Sequence, residues 1–306
     1  MSRILVIGSS NTDMVIRVAA LPRPGETVLG GEFAINGGGK GANQALAAAR
    51  AGGAVTFLAR VGDDDFGRRA LADLGAAGID TAPCIIDADN PSGVAQILVD
   101  ERGENCIAVA PGANAGLAPE DLAAAGAHFL AGNLVLLQLE TPLATVKAAL
   151  ARARESGCRT VLNPAPAQPL PAALLRLADL LTPNESEAER LTGIAVGDDA
   201  SAAAAAEALH RQGVDTVLLT RGARGVFLSI ADGGQKAFPA FPVAAVDSTA
   251  AGDVFNGCLV AALAEGMSLA AAIPFAQAGA ALSVQHPGAQ DSVPARADIE
   301  AFLSAA

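Results

Sequence analysis

Leu134-Val135-Leu136-Leu137-Gln138-Leu139-Glu140 is an almost wholly apolar run ending in a carboxylate; beyond Pro142 follow helix-forming residues Leu143 to Ser156 and then a second β-type run, Thr160 to Leu162. A strand that stays apolar instead of alternating is buried on both faces, and strand, helix, strand in succession is the unit of a parallel sheet. The same alternation continues on either side. Strand-like segments lie at Ile4 to Ile7, Val55 to Ala59, Leu177 to Leu181 and Thr216 to Thr220, and helical ones at Ala42 to Ala51, Phe66 to Ala77 and Ser201 to Gln212. The expected fold is α/β, a central, mostly parallel sheet flanked by helices, formed as one domain over residues 1–306. Two regions break the pattern, about 13–37 and 84–113, where polar and apolar residues alternate as in Gly93-Val94-Ala95-Gln96-Ile97-Leu98-Val99. These predict a small β-sheet serving as a lid, and since its apolar face has to cover something, also a homodimer contact. Val226 to Pro242, around Asp232-Gly233-Gly234, reads as a hairpin.

Of the 306 residues, 32 are acidic and 20 basic, for a net charge of −12, with no Trp, no Tyr and no basic run. Such a chain offers neither counter-charge nor stacking platform to a nucleic acid. If it handles a nucleotide it must use local amides and a divalent cation, because its overall field repels phosphate. No stretch reads as a membrane span, and the apolar start, Ile4 to Ile7, is too short for a signal-peptide core, so a cytoplasmic location is expected. The four cysteines and three histidines have no zinc-type spacing, which predicts free thiols.

The chemistry concentrates in Val246-Asp247-Ser248-Thr249-Ala250-Ala251-Gly252-Asp253-Val254-Phe255-Asn256-Gly257-Cys258, small residues leading into a helix. The first-turn amides of Ala250, Ala251, Gly252 and Asp253 would favour an anion, and Asp253 would be a base beside it; the competing reading makes Asp253 a helix cap. Asn36-Gly37-Gly38-Gly39-Lys40-Gly41-Ala42-Asn43-Gln44-Ala45 runs glycines into another helix, with Lys40 and Asn43 offering a cation and an amide to hydroxyl groups. It lacks the Ser or Thr of a phosphate-binding P-loop, and a dinucleotide fingerprint is missing from the first strand. Asn11 and Asp13, two apart near the end of that strand, would face one way toward a diol, or merely form a turn. Glu140 lies beyond the carboxyl end of its strand, where open sheets bind ligands. Asn184 and Glu187 have the spacing of a capping box, or would lie near phosphate and Mg²⁺; Thr220 to Gly225 either wraps phosphates or simply turns.

These segments resemble the ribokinase and phosphofructokinase-B family of sugar and nucleoside kinases, and the resemblance spans nearly the whole chain. Gly38 to Ala45 looks like the family's first signature and Asp247 to Gly257 like its second; Asn163 to Ala167, Thr182 to Glu185, Gly288 to Gln290 and Ser292 to Pro294 also match. The resemblance implies ATP-dependent phosphorylation of the 5-hydroxyl of D-ribose, with Asp253 as base and with Asn11, Asp13, Gly39, Lys40, Asn43 and Glu140 holding the sugar. Asn184, Thr220, Gly222, Gly225, Gly252 and Gln277 would face ATP, and Glu187 would reach Mg²⁺ through water. A loop for activating K⁺ is implied at Asp247 and Ser292 through side chains and at Thr249, Ser283, His286 and Gly288 through carbonyls. His286 and Gln277 stand where the family suggests Arg and His, and Asp291 adds a carboxylate beside the cation loop. A kinase of deoxyribose, fructose or a nucleoside would share Asp253 and the ATP side and differ only in the sugar pocket and lid.

Overall fold

A computed structural model describes residues 2–305. Its elements in chain order are β1 (Ile4–Ile7), β2 (Asn11–Arg17), β3 (Glu32–Gly38), α1 (Lys40–Arg50), β4 (Val55–Leu58), β5 (Arg60–Gly62), α2 (Asp65–Ala76), β6 (Ile85–Asp87), β7 (Gly93–Val99) and β8 (Asn105–Ala110). There follow β9 (Leu134–Leu137), α3 (Leu143–Glu155), β10 (Arg159–Leu162), α4 (Ala172–Leu175), β11 (Leu180–Leu181), α5 (Glu185–Thr192), α6 (Asp199–Arg211), β12 (Thr216–Thr220), β13 (Val226–Ile230), β14 (Gln235–Phe238), α7 (Ala251–Ala264), α8 (Leu269–Ser283) and α9 (Arg296–Ala305).

The main sheet has the order β14-β13-β12-β11-β10-β9-β1-β4; it is parallel from β12 to β4 and antiparallel across β13 and β14. Side chains alternate between two buried faces. Ile4, Val6, Leu134 and Leu136 enter one core with Leu259 of α7 and Phe275 of α8, while Leu5, Ile7, Val135 and Leu137 enter a second with Leu150 of α3 and Leu209 of α6. Both sets must be apolar, which is why the β1 and β9 sequences do not alternate. Strand order reverses between β1 and β9, so the connections leaving their carboxyl ends diverge there and open a crevice, the place where such sheets bind ligands.

The second sheet, β3-β2-β7-β8, stands over that end of the molecule. Paired residues share a face, and the register puts Asp13, Val15, Ile97, Ile107 and Val109 on one side and Ile16, Phe33, Ile35 and Leu98 on the other. Phe33 is 59% and Ile107 52% exposed, so both faces carry open apolar surface.

Two sequence expectations need correction. The strand expected at Leu177 to Leu181 shrinks to Leu180–Leu181, because the amides of Leu177 and Ala178 bond back to Leu174 and Leu175 (3.0 and 3.1 Å) and close α4 instead. Within 84–113 only β7 and β8 join the small sheet; Ile85–Asp87 pairs with β5 as a separate two-stranded sheet. The hairpin expected at 226–242 is β13 and β14. Among the described residues no helix is long and apolar enough to cross a membrane.

Helices α1 and α7 meet at Gly257. A Cβ there would lie 2.6 Å from the Gln44 carbonyl and 2.7 Å from the Ala48 amide, backbone that cannot yield. Gly257→Val should therefore destabilise the protein by about 1–3 kcal/mol or more through overpacking, read as a lower urea midpoint.

Candidate active site

The turn into α7 is set by Ala250, the one non-glycine residue with positive φ (59°) among those described. An L-residue in this conformation carries strain of about 1–2 kcal/mol, and it here replaces a side-chain cap at the N-terminus of α7. Ala251 N reaches Ser248 O (3.2 Å), so it is not free as expected, whereas the amides of Gly252 and Asp253 have no acceptor among the described residues. Two first-turn donors thus remain for an anion.

Asp253, in the first turn of α7, is only 6% exposed. The capping reading fails: its Oδ1 accepts from Gln44 Nε2 (2.8 Å) and its Oδ2 from Asn43 Nδ2 (3.0 Å), both from α1, and neither oxygen reaches back to its own helix. Burial pushes its pKa up, against the pull of Lys40 and the two amides. Burial also works against the charge on Lys40, but Asp253, Glu140, Glu187 and Asp13 all face it and hold its pKa above the ordinary lysine value. Asp13, under the small sheet, is pushed up to about 6, first by burial and then by Glu140, with Lys40 opposing. One ammonium among four carboxylates leaves a net negative crevice.

Glu140 stands at the switch point between β1 and β9. Its Oε2 accepts from Ser9 Oγ (2.5 Å) at the end of β1 and from the Lys40 amide (2.9 Å). Gly39, the residue before α1, has no side chain to cap the helix, so a carboxylate from across the crevice does so. Asn11 accepts through Oδ1 from Asn114 Nδ2 (2.8 Å), which leaves the Asn11 NH₂ as its available donor. Asn43 Oδ1 accepts from Gln290 Nε2 (3.2 Å), tying the loop before α9 to a residue that holds Asp253.

On the other side of the crevice, Asn184, Glu185, Ser186, Glu189, Thr220 and Gly222 line a cleft of about 470 Å³. Asn184 and Glu187 do form the reciprocal capping box at the start of α5, with Asn184 N to Glu187 Oε2 at 2.8 Å and Glu187 N to Asn184 Oδ1 at 2.8 Å. The cap does not exhaust Glu187, whose buried carboxyl is raised by desolvation and feels Lys40 and Asp253. Two further nucleotide candidates, Gly225 and Gln277, are not among the residues that line this cleft. Gly225 is a glycine because any Cβ would collide with Phe238 O, and Gln277 spends its NH₂ on Phe238 O (3.3 Å) and Pro239 O (3.1 Å), bracing α8 against the end of β14.

Hydrogen bonds tie together segments expected to form the cation loop. Asp247 accepts from Thr249 N (2.9 Å) and Gly288 N (2.9 Å), and the amides of Val246 and Asp247 both donate to Val284 O. Burial raises the Asp247 carboxyl, but these hydrogen bonds outweigh it and hold its pKa below the ordinary range. Ser283 and His286 join through His286 N to Ser283 O (3.0 Å), and Ser292 Oγ donates to Ala289 O (2.9 Å). Among the described residues no three His, Cys, Asp or Glu side chains are close enough to hold a metal, so a divalent ion here must bring most of its ligands as phosphate and water.

Sequence reasoning missed Ser9, Gln44, Asn114 and Gln290 as site residues. Gln44 and Gln290 lay inside stretches already singled out; Ser9 and Asn114 carry no local signal, since their contacts lie 131 and 104 residues away.

Known proteins resemble the chain over nearly its whole length. Residues 1–296 match the family model described as pfkB family carbohydrate kinase. The chain is 45% identical over 298 residues to ribokinase of Haemophilus influenzae, covering 97% of each chain. It is 37% identical to deoxyribokinase of Salmonella typhi, covering 98% of each. The structure of Arabidopsis thaliana ribokinase complexed with ribose and ATP superimposes with a TM-score of 0.91 at 31% identity, covering 99% of each chain. The chain belongs to the pfkB family of carbohydrate kinases.

Proposed function

We infer that this chain is an ATP-dependent sugar kinase that transfers the γ-phosphoryl group to the 5-hydroxyl of D-ribose, giving ribose 5-phosphate and ADP, with the nucleotide carried as its Mg²⁺ complex. The observation that carries the reading is a buried carboxylate, Asp253, sharing a helix turn with two unoccupied backbone donors. Asn11, Asp13, Gly39, Lys40 and Asn43 form the sugar side, with Glu140 holding Lys40 in place and offering its second oxygen. Asn184, Thr220 and Gly222 line the cleft that would take the nucleotide, with Gly252 in the turn that would meet its phosphates, and the buried Glu187 would reach Mg²⁺ through water.

The 5-oxygen attacks the γ-phosphorus as the bond to ADP breaks, and its proton passes to Asp253. Even raised by burial, an aspartate cannot ionise an alcohol beforehand, so the proton moves late, with bond formation. The amides of Gly252 and Asp253 and the ammonium of Lys40 stabilise charge on the phosphoryl oxygens. The four carboxylates around Lys40 would repel a bare triphosphate, and Mg²⁺ supplies the compensating charge when bound.

The small sheet closes as a lid through the face that bears Asp13, excluding water that would otherwise take the phosphoryl group. Its opposite face, with Ile16, Phe33 and Ile35, meets the same face of a second copy, which makes the enzyme a homodimer. K⁺ fits the loop behind α7: Asp247, already ionised, and Ser292 offer side-chain oxygens, and Thr249, Ser283, His286 and Gly288 offer carbonyls. A cation there supplies positive charge behind the anion-binding turn. The similarity to a deoxyribokinase keeps 2-deoxyribose as the second reading.

Coupled ADP release across ribose, 2-deoxyribose, fructose and nucleosides should rank ribose first in kcat/KM, and a nucleoside or fructose in first place would overturn the substrate. Asp253→Asn should lower kcat about 10²-fold or more with little change in ribose KM; near-normal turnover would remove it as the base. Asp13, whose folded pKa of about 6 exceeds its unfolded value of 3.8, lowers stability as pH rises through that window. Asp13→Asn should therefore melt higher than wild type at pH 7, with the gap closing below about pH 4, while ribose binding weakens. Phe33→Asp should turn the dimer into a monomer in size-exclusion chromatography with light scattering.

A further inference from the structure

A buried line of amide and hydroxyl side chains crosses the molecule from the central sheet to α7. Gln138, just beyond β9, donates through Nε2 to Gln44 Oε1 (2.6 Å), and Gln44 Nε2 donates to both Asn163 Oδ1 (3.0 Å) and Asp253 Oδ1 (2.8 Å). Asn163 Nδ2 donates to Thr182 O (3.0 Å), Thr182 Oγ1 to Asn256 Oδ1 (2.6 Å), and Asn256 Nδ2 to Gly252 O (2.8 Å), back in the anion-binding turn. Every member is buried, Gln44 completely.

The orientation of Gln44 is dictated from two ends. The Thr182 carbonyl can only accept, so Asn163 turns its NH₂ toward it and its oxygen toward Gln44. Ionised Asp253 can also only accept. Gln44 therefore meets two acceptors and must give one N–H to each, which leaves its own oxygen for Gln138. A reversed Gln44 amide would set oxygen against two oxygens where water does not reach, a costly arrangement in so enclosed a place.

We propose that Gln44 is the positioning residue of the catalytic base: it fixes Oδ1 of Asp253 while Asn43 holds Oδ2, so the carboxylate plane is set before the sugar arrives. This rests on Asp253 being the base. Two neutral donors lower the basicity of the carboxylate less than a counter-ion would, whereas an arginine in the place of Gln44 would hold the geometry and weaken the base further. The other charged groups facing Asp253 are Lys40 on α1, Glu140 beyond β9, Asp13 on β2 and Glu187 on α5, and they are unchanged in the variants below.

The test measures kcat and KM for ribose against pH, with saturating Mg²⁺-ATP, in the full-length wild type, Gln44→Leu, Gln44→Glu and Asp253→Asn, with melting temperatures for each. Gln44→Leu should lower kcat about 10- to 100-fold, the worth of a hydrogen bond to a charged group, with ribose KM changed by less than about threefold. Gln44→Glu keeps the shape but brings a second carboxyl to share a proton with Asp253, and should move the acid limb of kcat upward by about one pH unit or more. A Gln44→Glu enzyme with the wild-type acid limb, or a Gln44→Leu enzyme altered only in KM, overturns the positioning role while an inactive Asp253→Asn leaves the base in place. An active Asp253→Asn overturns both. Should Gln44→Leu fail to fold, the near-isosteric Gln44→Glu decides through its acid limb.

Discussion

The close crossing of α1 and α7 is the constraint on which the site depends. Gly257 lets the two helices touch backbone to backbone, and that contact presses Asn43 and Gln44 onto Asp253. Only a helix pair this tight lets short amide side chains reach a carboxylate on the neighbouring helix. Lys40 to Gln44 and Ala251 to Asp253, some two hundred residues apart in sequence, are thereby brought into one crevice. Because both helices pack on the same face of the central sheet, the geometry is tied to the core and is insensitive to loop motion.

The switch point between β1 and β9 contributes the second part of the arrangement. Ser9 follows β1 and Glu140 follows β9, and their hydrogen bond closes the crevice floor while Glu140 caps α1. Lys40 is in this way positioned by its backbone through one acid and charged by its surroundings through four. A negatively charged pocket is an unusual place to bring a triphosphate, and it explains why an acidic enzyme of this kind depends on a cation travelling with the nucleotide.

Much of this was legible in the chain. The unalternating strands announced a two-faced parallel sheet, since each face needs its own apolar set, and the glycine-rich and Ala-Ala-Gly-Asp turns announced the crevice. What stayed hidden depended on long-range partners. The capping role of Glu140 is hidden because the helix it caps begins a hundred residues earlier. The bracing role of Gln277 is hidden because nothing local shows the two carbonyls of the β14 edge to which its NH₂ donates. Asn184 and Glu187 form the capping box as their spacing predicts, and the same glutamate is buried and feels the charges of Lys40 and Asp253. Leu177 and Ala178 were misassigned for a simpler reason, since a leucine-rich segment suits a short helix closure as well as it suits a strand.

Ala250 has a consequence of its own. A glycine would enter the left-handed conformation without cost, but in the unfolded chain and in any loosened native state it would wander through many more shapes. The methyl group narrows that range, so the bend ahead of α7 is moulded once, during folding, and is not remade each time a phosphate arrives. Catalytic readiness is thus stored as a small, permanent backbone distortion, borne by a residue that has no functional side chain at all.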